Sequence, residues 1–398
     1  MLARKGNGEK NSVEIERALK IVWDHRYLLR IDLRLVLVVV ALMTISLITI
    51  SSMTVEVSEF GQENFFSHYV KNQIQWFLLG WAVFFFFAGL DYRKFSEWAW
   101  FLYIAMLLLL LGLYFARPIQ SVHRWYRIPF LGVNMQPSEW AKLIVVITLG
   151  WFLQRKEQER SSVRCGLQLS LIVGVPFVMI LKQPDLGTAL VLYPIFLTIC
   201  YFGQVHRWIL RGLIMCGVVA LCMVALLFSG TISHEKMSPF FLSFLKEYQY
   251  ERLNPNTYHQ RAAQTAIAIG GLTGSGWHKG EFSARKWLPE AHTDSIFAAF
   301  AEEFGLFGCL VLLALFYAFI YFAIQTAAVA KDEFGHLLSS GIAVYLAMHI
   351  MVNMAMMCGF LPISGVPLVL VSYGGSSILT TMAALGILQS IYTRRFMF

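Results

Sequence analysis

A group of ionisable side chains lies between two long apolar runs. Residues 288–294 read Leu-Pro-Glu-Ala-His-Thr-Asp and carry Glu290, His292 and Asp294, and the apolar run that follows carries Glu302 and Glu303 near its start. An ionisable side chain inside a bilayer costs several kcal/mol unless it is paired or lines a wet cavity. The segment therefore predicts a site rather than a membrane anchor.

Other polar segments between apolar runs carry cations. Arg and Lys supply charge-assisted donors to phosphate oxygens, so the simplest use for them is an anionic ligand such as a phosphate or pyrophosphate. The alternative is that they form structural ion pairs with Glu139, Asp185, Glu281 and Glu290. The cations in question are Arg124, Arg127, Lys142, Lys182, Arg252, Arg261, Lys279, Arg285 and Lys286.

Two of these segments read as the starts of helices. In residues 136–142, Pro137 ends an extended loop, Ser138 can cap, and Glu139 and Lys142 are spaced to share a helix face. Residues 183–188, Gln-Pro-Asp-Leu-Gly-Thr, repeat this logic with a Pro break, an acidic residue and a Gly that permits close backbone approach. Membrane proteins build polar sites from interrupted helices whose ends face the same compartment. We therefore predict that these two segments share one site.

Composition defines the elements that position these groups. The chain has 398 residues, of which 57% are hydrophobic and only 14% are charged, with a mean hydropathy of +0.60. The apolar runs are mostly long enough to cross a hydrocarbon core of about 30 Å as helices, and they do not alternate as barrel strands would. The predicted fold is therefore an all-α polytopic membrane domain. The ten runs are residues 33–53, 73–90, 97–116, 140–154, 167–182, 187–203, 208–229, 293–325, 337–360 and 368–392.

The charge distribution predicts the topology. Residues 1–32 are polar and basic without a cleavable signal peptide, so they are expected to form a cytoplasmic tail. Ten crossings return the C-terminus to the same side, and residues 33–398 then form one membrane domain with one large outer loop at 230–292. The 293–325 run is too long for one crossing, so its first turns are expected to lie in protein or at the surface. His349 and Asn353, four residues apart, are expected to make helix–helix hydrogen bonds.

Several classes of function are excluded or disfavoured. The six cysteines lack the spacing of metal ligands and are expected to be packing residues, and no metal-ligating set is predicted. The net charge of +8 follows the positive-inside pattern, and no basic run is interleaved with stacking aromatics, so nucleic-acid binding is not predicted. The glycines at 270–280 match no phosphate-binding loop.

Taken together and in order, the polar segments resemble the SEDS family of RodA, FtsW and SpoVE peptidoglycan polymerases. The resemblance covers nearly the whole chain after residue 32, and the ending at 386–391 looks more like RodA than FtsW. The residues that carry it are Arg124, Trp125, Gln136, Glu139, Lys142, Gln183, Asp185, Thr188, Glu290, His292, Asp294, Glu302, Glu303 and the run 372–377 with Ser376.

This resemblance implies a ten-helix inner-membrane glycosyltransferase that polymerises lipid II at the outer face during cell-wall elongation. A sugar hydroxyl attacking an anomeric carbon needs a carboxylate base, and the leaving lipid pyrophosphate needs fixed cations or a divalent ion such as Mg²⁺ or Mn²⁺. Arg124 and Lys142 are the candidates for the pyrophosphate, and Glu139 and Asp185 would orient them or bind sugar. The implied partners are a class B penicillin-binding protein transpeptidase and the elongation machinery.

The chain departs from the family pattern at one important place. Family members carry an acidic residue in an Asp-Pro step of the long outer loop, regarded as the essential base, whereas residues 252–258 here read Arg-Leu-Asn-Pro-Asn-Thr-Tyr. Glu251 is the first candidate to replace it, followed by Glu281 or Glu290, and His259 is another. The remaining hypotheses are a catalytically impaired scaffold and, from a different class, a flippase for lipid-linked precursors.

Overall fold

The computed structural model describes residues 23–54, 56–57, 63–64, 66–116, 123–128, 133–183, 185–232, 234, 238–239, 242 and 247–396. Most of the predicted basic tail, residues 1–22, lies outside this part of the chain. The described helices are α1 (Leu33–Met53), α2 (His68–Gly89), α3 (Arg93–Gly112), α4 (Pro137–Arg155), α5 (Val163–Lys182), α6 (Leu186–Phe202), α7 (Arg207–Phe228), α8 (Glu247–Glu251), α9 (Tyr258–Gly270), α10 (Glu281–Ala284), α11 (Ile296–Val329), α12 (Glu333–Met357) and α13 (Gly375–Thr393).

The remaining regular structure is short. Three short 3₁₀-helices occupy His25–Arg30, Leu113–Phe115 and Glu157–Glu159. Two antiparallel strand pairs complete the described elements. Strands β1 (Glu56–Val57) and β2 (Glu63–Asn64) pair with each other, as do β3 (Tyr126–Ile128) and β4 (Val133–Met135).

Each of the ten predicted apolar runs contains one long helix among the described residues, so the all-α membrane fold is confirmed. Six of these helices are long and apolar enough to cross a membrane: α1, α3 with the turn after it, α5, α7, α11 and α12. Helix α6 is apolar but only 17 residues long. The count of ten crossings therefore stays a prediction.

A break within helix α11 explains why the apolar run 293–325 is longer than one membrane crossing needs. Its 34 residues are broken at Gly305, whose φ of 61° and ψ of −162° are not helical. A side chain at Gly305 would place its Cβ 2.3 Å from the backbone nitrogen of Gly274, so only glycine fits. The turns before Gly305 are almost wholly buried in protein, whereas Leu306, Phe307 and Leu310 beyond it are exposed. The expectation that the first turns lie in protein is confirmed.

Burial separates a central helix from peripheral ones. Helix α12 packs against α4, α6 and α11, and 72% of its most apolar 18-residue stretch is buried. In α7, none of the most apolar 18-residue stretch is buried. The outer surface of α7 is formed by side chains such as Trp208 and Leu221, which are 73% and 61% exposed. An apolar helix that is unburied in the protein suits contact with lipid chains. Helix α12 is therefore the scaffold against which the polar helix ends are arranged.

Candidate active site

The site is built where helix α4 begins. Gln136 is the N-cap residue and Pro137 occupies the first helical position, where its missing N–H costs nothing. The prediction that Ser138 caps this helix is wrong, because the start of the helix at Pro137 leaves Ser138 inside the first turn. Instead, the Ser138 hydroxyl donates to Asp185 Oδ2 at 2.8 Å, and the Gln136 N–H donates to Ser376 Oγ at 3.1 Å.

Asp185 joins the starts of α4 and α6. Its Oδ2 accepts from Gln136 Nε2 at 2.8 Å as well as from Ser138, and its Oδ1 accepts from the backbone N–H of Thr188 at 3.3 Å. The predicted acidic cap at this helix mouth is confirmed, although Pro184 lies outside the described residues. The predicted close approach at Gly187 is also confirmed, because a Cβ there would lie 2.5 Å from the carbonyl oxygen of Ser364.

A buried ion pair follows one turn into α4. Lys142 Nζ lies 2.7 Å from Glu139 Oε1 and 2.6 Å from His349 Nε2 of α12, and the Lys142 side chain is 0% exposed. An ammonium group only donates, so His349 Nε2 accepts and the imidazole is neutral. The shared face of Glu139 and Lys142 and the helix–helix bond of His349 are thus confirmed. Contact of Lys142 with a pyrophosphate would require these bonds to be exchanged, and it stays a prediction.

Arg124 and Trp125 precede strand β3 and are both partly buried. The Arg124 Nε donates to the carbonyl oxygen of Gln183 at 3.0 Å, and the Gln183 side chain in turn donates to the carbonyl of Leu110 at 2.8 Å. Arg124 is therefore anchored to the chain just before Asp185. This brings the first two polar segments into one place.

The segment 288–294 packs against the run that precedes α13. The N–H of Tyr373 donates to the carbonyl of His292 at 2.9 Å, and Ser372 Oγ donates to the carbonyl of Thr293 at 2.7 Å. The His292 ring lies 4.9 Å from the ring of Tyr69, and burial lowers the pKa of His292 against the opposing charge of Glu290. Glu290 is exposed with a φ of 49°, a conformation uncommon outside glycine.

Asp294 lies at the centre of these contacts. Asn353 Nδ2 donates to its backbone carbonyl at 2.9 Å and to the carbonyl of Val366 at 2.7 Å. The prediction of a helix–helix hydrogen bond for Asn353 is wrong, because both acceptors lie outside helices. Burial, with the charges of Glu290 and Asp185, raises the pKa of Asp294 to about 6 against the opposing effect of Arg252 and Arg124. The Asp294 carboxylate is thus within electrostatic range of groups from three other polar segments.

Glu302 and Glu303 lie behind the site rather than in it. Glu302 accepts from the N–H of Phe282 at 2.7 Å, from the N–H of Ser283 at 3.0 Å and from the Ser283 hydroxyl at 2.5 Å. A carboxylate that receives the free N–H groups of a helix start stabilises that start. Glu302 therefore holds α10 against α11, and both glutamates are buried.

The candidates for the missing base are spread out. Glu251 is exposed at the last residue of α8, and its carboxylate accepts no hydrogen bond from the described residues. Glu281 is exposed and forms an ion pair with Arg285 at 3.0 Å. His259 Nε2 lies 2.7 Å from Ser295 Oγ, and burial lowers the pKa of His259. The structure brings His259, but not Glu251, into hydrogen-bond contact with the residues around Asp294.

Sequence reasoning missed one supporting residue. Gln73 of α2 is fully buried and donates to Ser46 Oγ and to the carbonyl of Ser372, both at 3.2 Å. It thereby ties α1 and α2 to the run before α13. An amide at the start of an otherwise apolar run was the available signal, because a buried polar group needs a partner.

The fold and site define a polytopic helical membrane protein with a polar, carboxylate-bearing site at one end of its bundle. Residues 33–396 match the model of the family described as "Cell cycle protein", FtsW/RodA/SpoVE. The chain belongs to this family, as its motifs indicated.

Two curated relatives and two solved structures agree with this assignment. The chain is 36% identical over 314 residues to "Peptidoglycan glycosyltransferase MrdB" of Escherichia coli K12, covering 76% of this chain and 80% of the relative. It is 30% identical over 368 residues to "Probable peptidoglycan glycosyltransferase FtsW" of Trichlorobacter lovleyi, covering 90% and 92%.

Both structures cover 92% of this chain. The structure described as "Structural coordination of polymerization and crosslinking by a peptidoglycan synthase complex" has a TM-score of 0.73, 26% identity and 99% of its chain matched. The rod shape-determining protein RodA of Thermus thermophilus has a TM-score of 0.66, 24% identity and 98% of its chain matched, and this likeness concerns the fold alone.

Proposed function

We propose that this protein is a peptidoglycan glycosyltransferase that polymerises lipid II in cell-wall elongation. The observation that carries the proposal is the packing of three separate polar segments around one place. Arg124 donates to the carbonyl of Gln183, just before Asp185, and the 364–365 turn lies against both Gly187 and the Asp294 carboxylate. The names of the curated relatives supply the activity, and the family membership supports its transfer to this chain.

The reaction joins the sugar of one lipid-linked unit to the anomeric carbon of another. A lipid pyrophosphate leaves with its charge, and guanidinium groups suit that charge because their donors match phosphate geometry. Arg124 and Arg252 are the two cations that act on Asp294 and are both partly buried. We assign them to the pyrophosphate and assign Trp125, Thr188, Glu290, His292 and Ser376 to the remaining contacts with the substrate.

The substrate carries a long lipid chain, and the fold offers a surface for it. Helix α7 is apolar and unburied in the protein, and it precedes the large outer loop that carries Arg252. A lipid-linked substrate could keep its chain in the bilayer along such a helix while its pyrophosphate lies at the polar end of the bundle. This arrangement supports a membrane-bound donor over a soluble sugar nucleotide.

A divalent ion such as Mg²⁺ or Mn²⁺ is proposed to accompany the pyrophosphate. The described residues include no group of three or more His, Cys, Asp or Glu side chains that could hold a metal ion, so they do not fit a protein-built metal cage. Mg²⁺ usually keeps several waters and binds substrate phosphates with one or two carboxylates. The steps proposed for this chain's own residues do not depend on the ion.

The location and partners follow from the same proposal. The protein would lie in the bacterial inner membrane with both termini cytoplasmic and the site facing outward, because the positive-inside rule assigns the basic short loops to the cytoplasm. A class B penicillin-binding protein transpeptidase would crosslink the strands it makes, within the elongation machinery. One similar solved structure is described as a peptidoglycan synthase complex that coordinates polymerisation and crosslinking, and this description supports the partner.

The test is turnover of labelled lipid II by the purified full chain with its partner transpeptidase, with and without a chelator. The expected product is a ladder of glycan strands. Vectorial movement of lipid II across vesicles without polymer would instead favour the flippase hypothesis. The shortened segment at 252–258 favours the scaffold hypothesis, and a protein that binds its partner but makes no polymer under any of these conditions would support it.

A further inference from the structure

The proposed reaction needs a proton acceptor, and the family's usual acidic residue is missing from this chain. The outer-face carboxylates differ in whether they are available for that task. Glu139 is paired with Lys142 through Oε1, and its unpaired Oε2 is buried and closed to a substrate. Asp185 accepts from two side chains and a backbone N–H. Glu281 pairs with Arg285. A base must have a lone pair that no fixed donor already occupies.

Asp294 meets this requirement. Its carboxylate accepts no hydrogen bond from any residue in the described part of the chain, and its side chain is only partly exposed. The hydrogen bond that positions it, from Asn353, goes to its backbone carbonyl and leaves both carboxylate oxygens unused. The backbone at Asp294 is therefore fixed by a contact that does not use the carboxylate.

The backbone around Asp294 connects it to the other polar segments. Gly187 at the start of α6 lies against the carbonyl of Ser364, since a Cβ there would be 2.5 Å from that oxygen. The next residue, Gly365, has a φ of 74° and would place a Cβ 3.4 Å from Asp294 Oδ2. The positive φ favours glycine here, and the 3.4 Å distance shows that this turn lies beside the carboxylate. The start of α6, the 364–365 turn and Asp294 are thus one continuous structure.

We propose that Asp294 is the general base of this chain and takes the place of the missing family residue. The acceptor hydroxyl oxygen bonds to the anomeric carbon of the donor sugar, and the bond from that carbon to the pyrophosphate oxygen breaks. The hydroxyl proton passes to Asp294, and the pyrophosphate leaves as an anion with the lipid. This inference rests on the proposed function, and it replaces Glu251 as the preferred base.

The rival candidates have features that disfavour them. Glu251 is exposed and lies on the five-residue helix α8, without a contact that fixes its side chain among the described residues. His259 already exchanges a hydrogen bond with Ser295. Glu290 accepts from the Thr293 hydroxyl at 3.0 Å and is exposed. Among these groups, Asp294 alone combines a fixed position with an unoccupied carboxylate.

The charges around Asp294 give the reaction a characteristic pH dependence. Burial, Glu290 and Asp185 raise its pKa to about 6, while Arg252 and Arg124 oppose the rise. A base is active when deprotonated, so the rate should fall about tenfold for each pH unit below about 6. Two histidines adjoin this segment, His259 and His292, and burial lowers the pKa of each against the opposing charge of Glu290.

The experiment compares Asp294→Asn, Asp294→Glu, Glu251→Gln and the surface control Glu247→Gln with the unmodified protein, each with lipid II and the partner transpeptidase. Asp294→Asn should lose about 10²–10⁴-fold in polymer formation, the usual contribution of general base catalysis, while still binding lipid II. Asp294→Glu should recover part of the rate. Glu251→Gln and Glu247→Gln should remain at the unmodified rate.

The outcomes separate the two proposals. If the unmodified protein makes no polymer, the proposed function fails. If it polymerises and Asp294→Asn does so at the same rate, or Glu251→Gln alone abolishes turnover, the assignment of the base is overturned while the function stands. Should Asp294→Asn fail to fold, the pH profile of the unmodified protein decides the matter. A rate that stays flat from about pH 7.5 to about pH 5 would contradict the assignment.

Discussion

Replacing Asp294 with Asn should stabilise the folded protein at neutral and alkaline pH. In the unmodified protein the carboxylate is ionised there, although burial and two neighbouring carboxylates disfavour its charge. An amide of nearly the same shape removes that cost. It also keeps the hydrogen bond from Asn353, because that bond goes to the backbone carbonyl of residue 294.

The magnitude follows from the rise in pKa. An ordinary Asp titrates at 3.8 and Asp294 at about 6. This difference corresponds to about 1–3 kcal/mol, where the lower figure allows for the partial exposure of the side chain. A group whose pKa is raised by folding contributes its full stability below the unfolded pKa and loses it as the pH rises through the folded value. The variant should therefore gain its full advantage above about pH 7 and roughly half of it near pH 5.

The assay is reversible unfolding in detergent micelles near pH 8, pH 5 and pH 4, with Glu247→Gln as the exposed control. We expect a difference in the free energy of unfolding that shrinks steadily as the pH falls, and no such trend for the control. Two results would refute this expectation. One is an Asp294→Asn protein that is less stable than the unmodified protein near pH 8, and the other is a difference in the free energy of unfolding that does not change with pH.

Three further predictions concern the surrounding frame. Glu139→Gln should destabilise the protein by about 3–5 kcal/mol, since it leaves the buried ammonium of Lys142 unpaired, and adding Lys142→Met should restore much of this loss in the same unfolding assay. Gly187→Ala should cost about 1–3 kcal/mol, because its Cβ would lie 2.5 Å from a carbonyl oxygen, whereas Gly174→Ala in α5 meets nothing within 4 Å and should be neutral or stabilising; equal effects would contradict this. Arg124→Gln should raise the KM for lipid II about tenfold or more with a smaller change in kcat, and an unchanged KM would remove Arg124 from the pyrophosphate site.

The helices could be predicted from the sequence because a segment that crosses a bilayer must be long, apolar and helical. Each of the ten apolar runs contains a helix, and the excess length of the 293–325 run correctly indicated turns inside protein. Local spacing also sufficed for the Glu139–Lys142 pair and for the Asp185 cap. In these cases, one periodicity or one cap chemistry determines the outcome.

The site could not be predicted from the sequence where its contacts join segments that are far apart along the chain. The Ser138 hydroxyl pairs with Asp185 across two helix starts, which no local rule for caps anticipates. The role of Asp294 depends on Asn353 and Gly365, both more than fifty residues further along the chain. Sequence spacing ranked Glu251 first because it is nearest to the altered segment, whereas the proposal of Asp294 rests on tertiary packing that spacing does not reveal.

The proposed polymerisation of lipid II with Asp294 as the base can be tested in a single kinetic comparison. Polymer formation from labelled lipid II should be measured as a function of pH for the unmodified protein and for Asp294→Asn. We expect glycan strands from the unmodified protein, with a rate that falls below about pH 6, and a loss of about 10²-fold or more in the variant at every pH above this value. Strands made equally well by both proteins would contradict the claim.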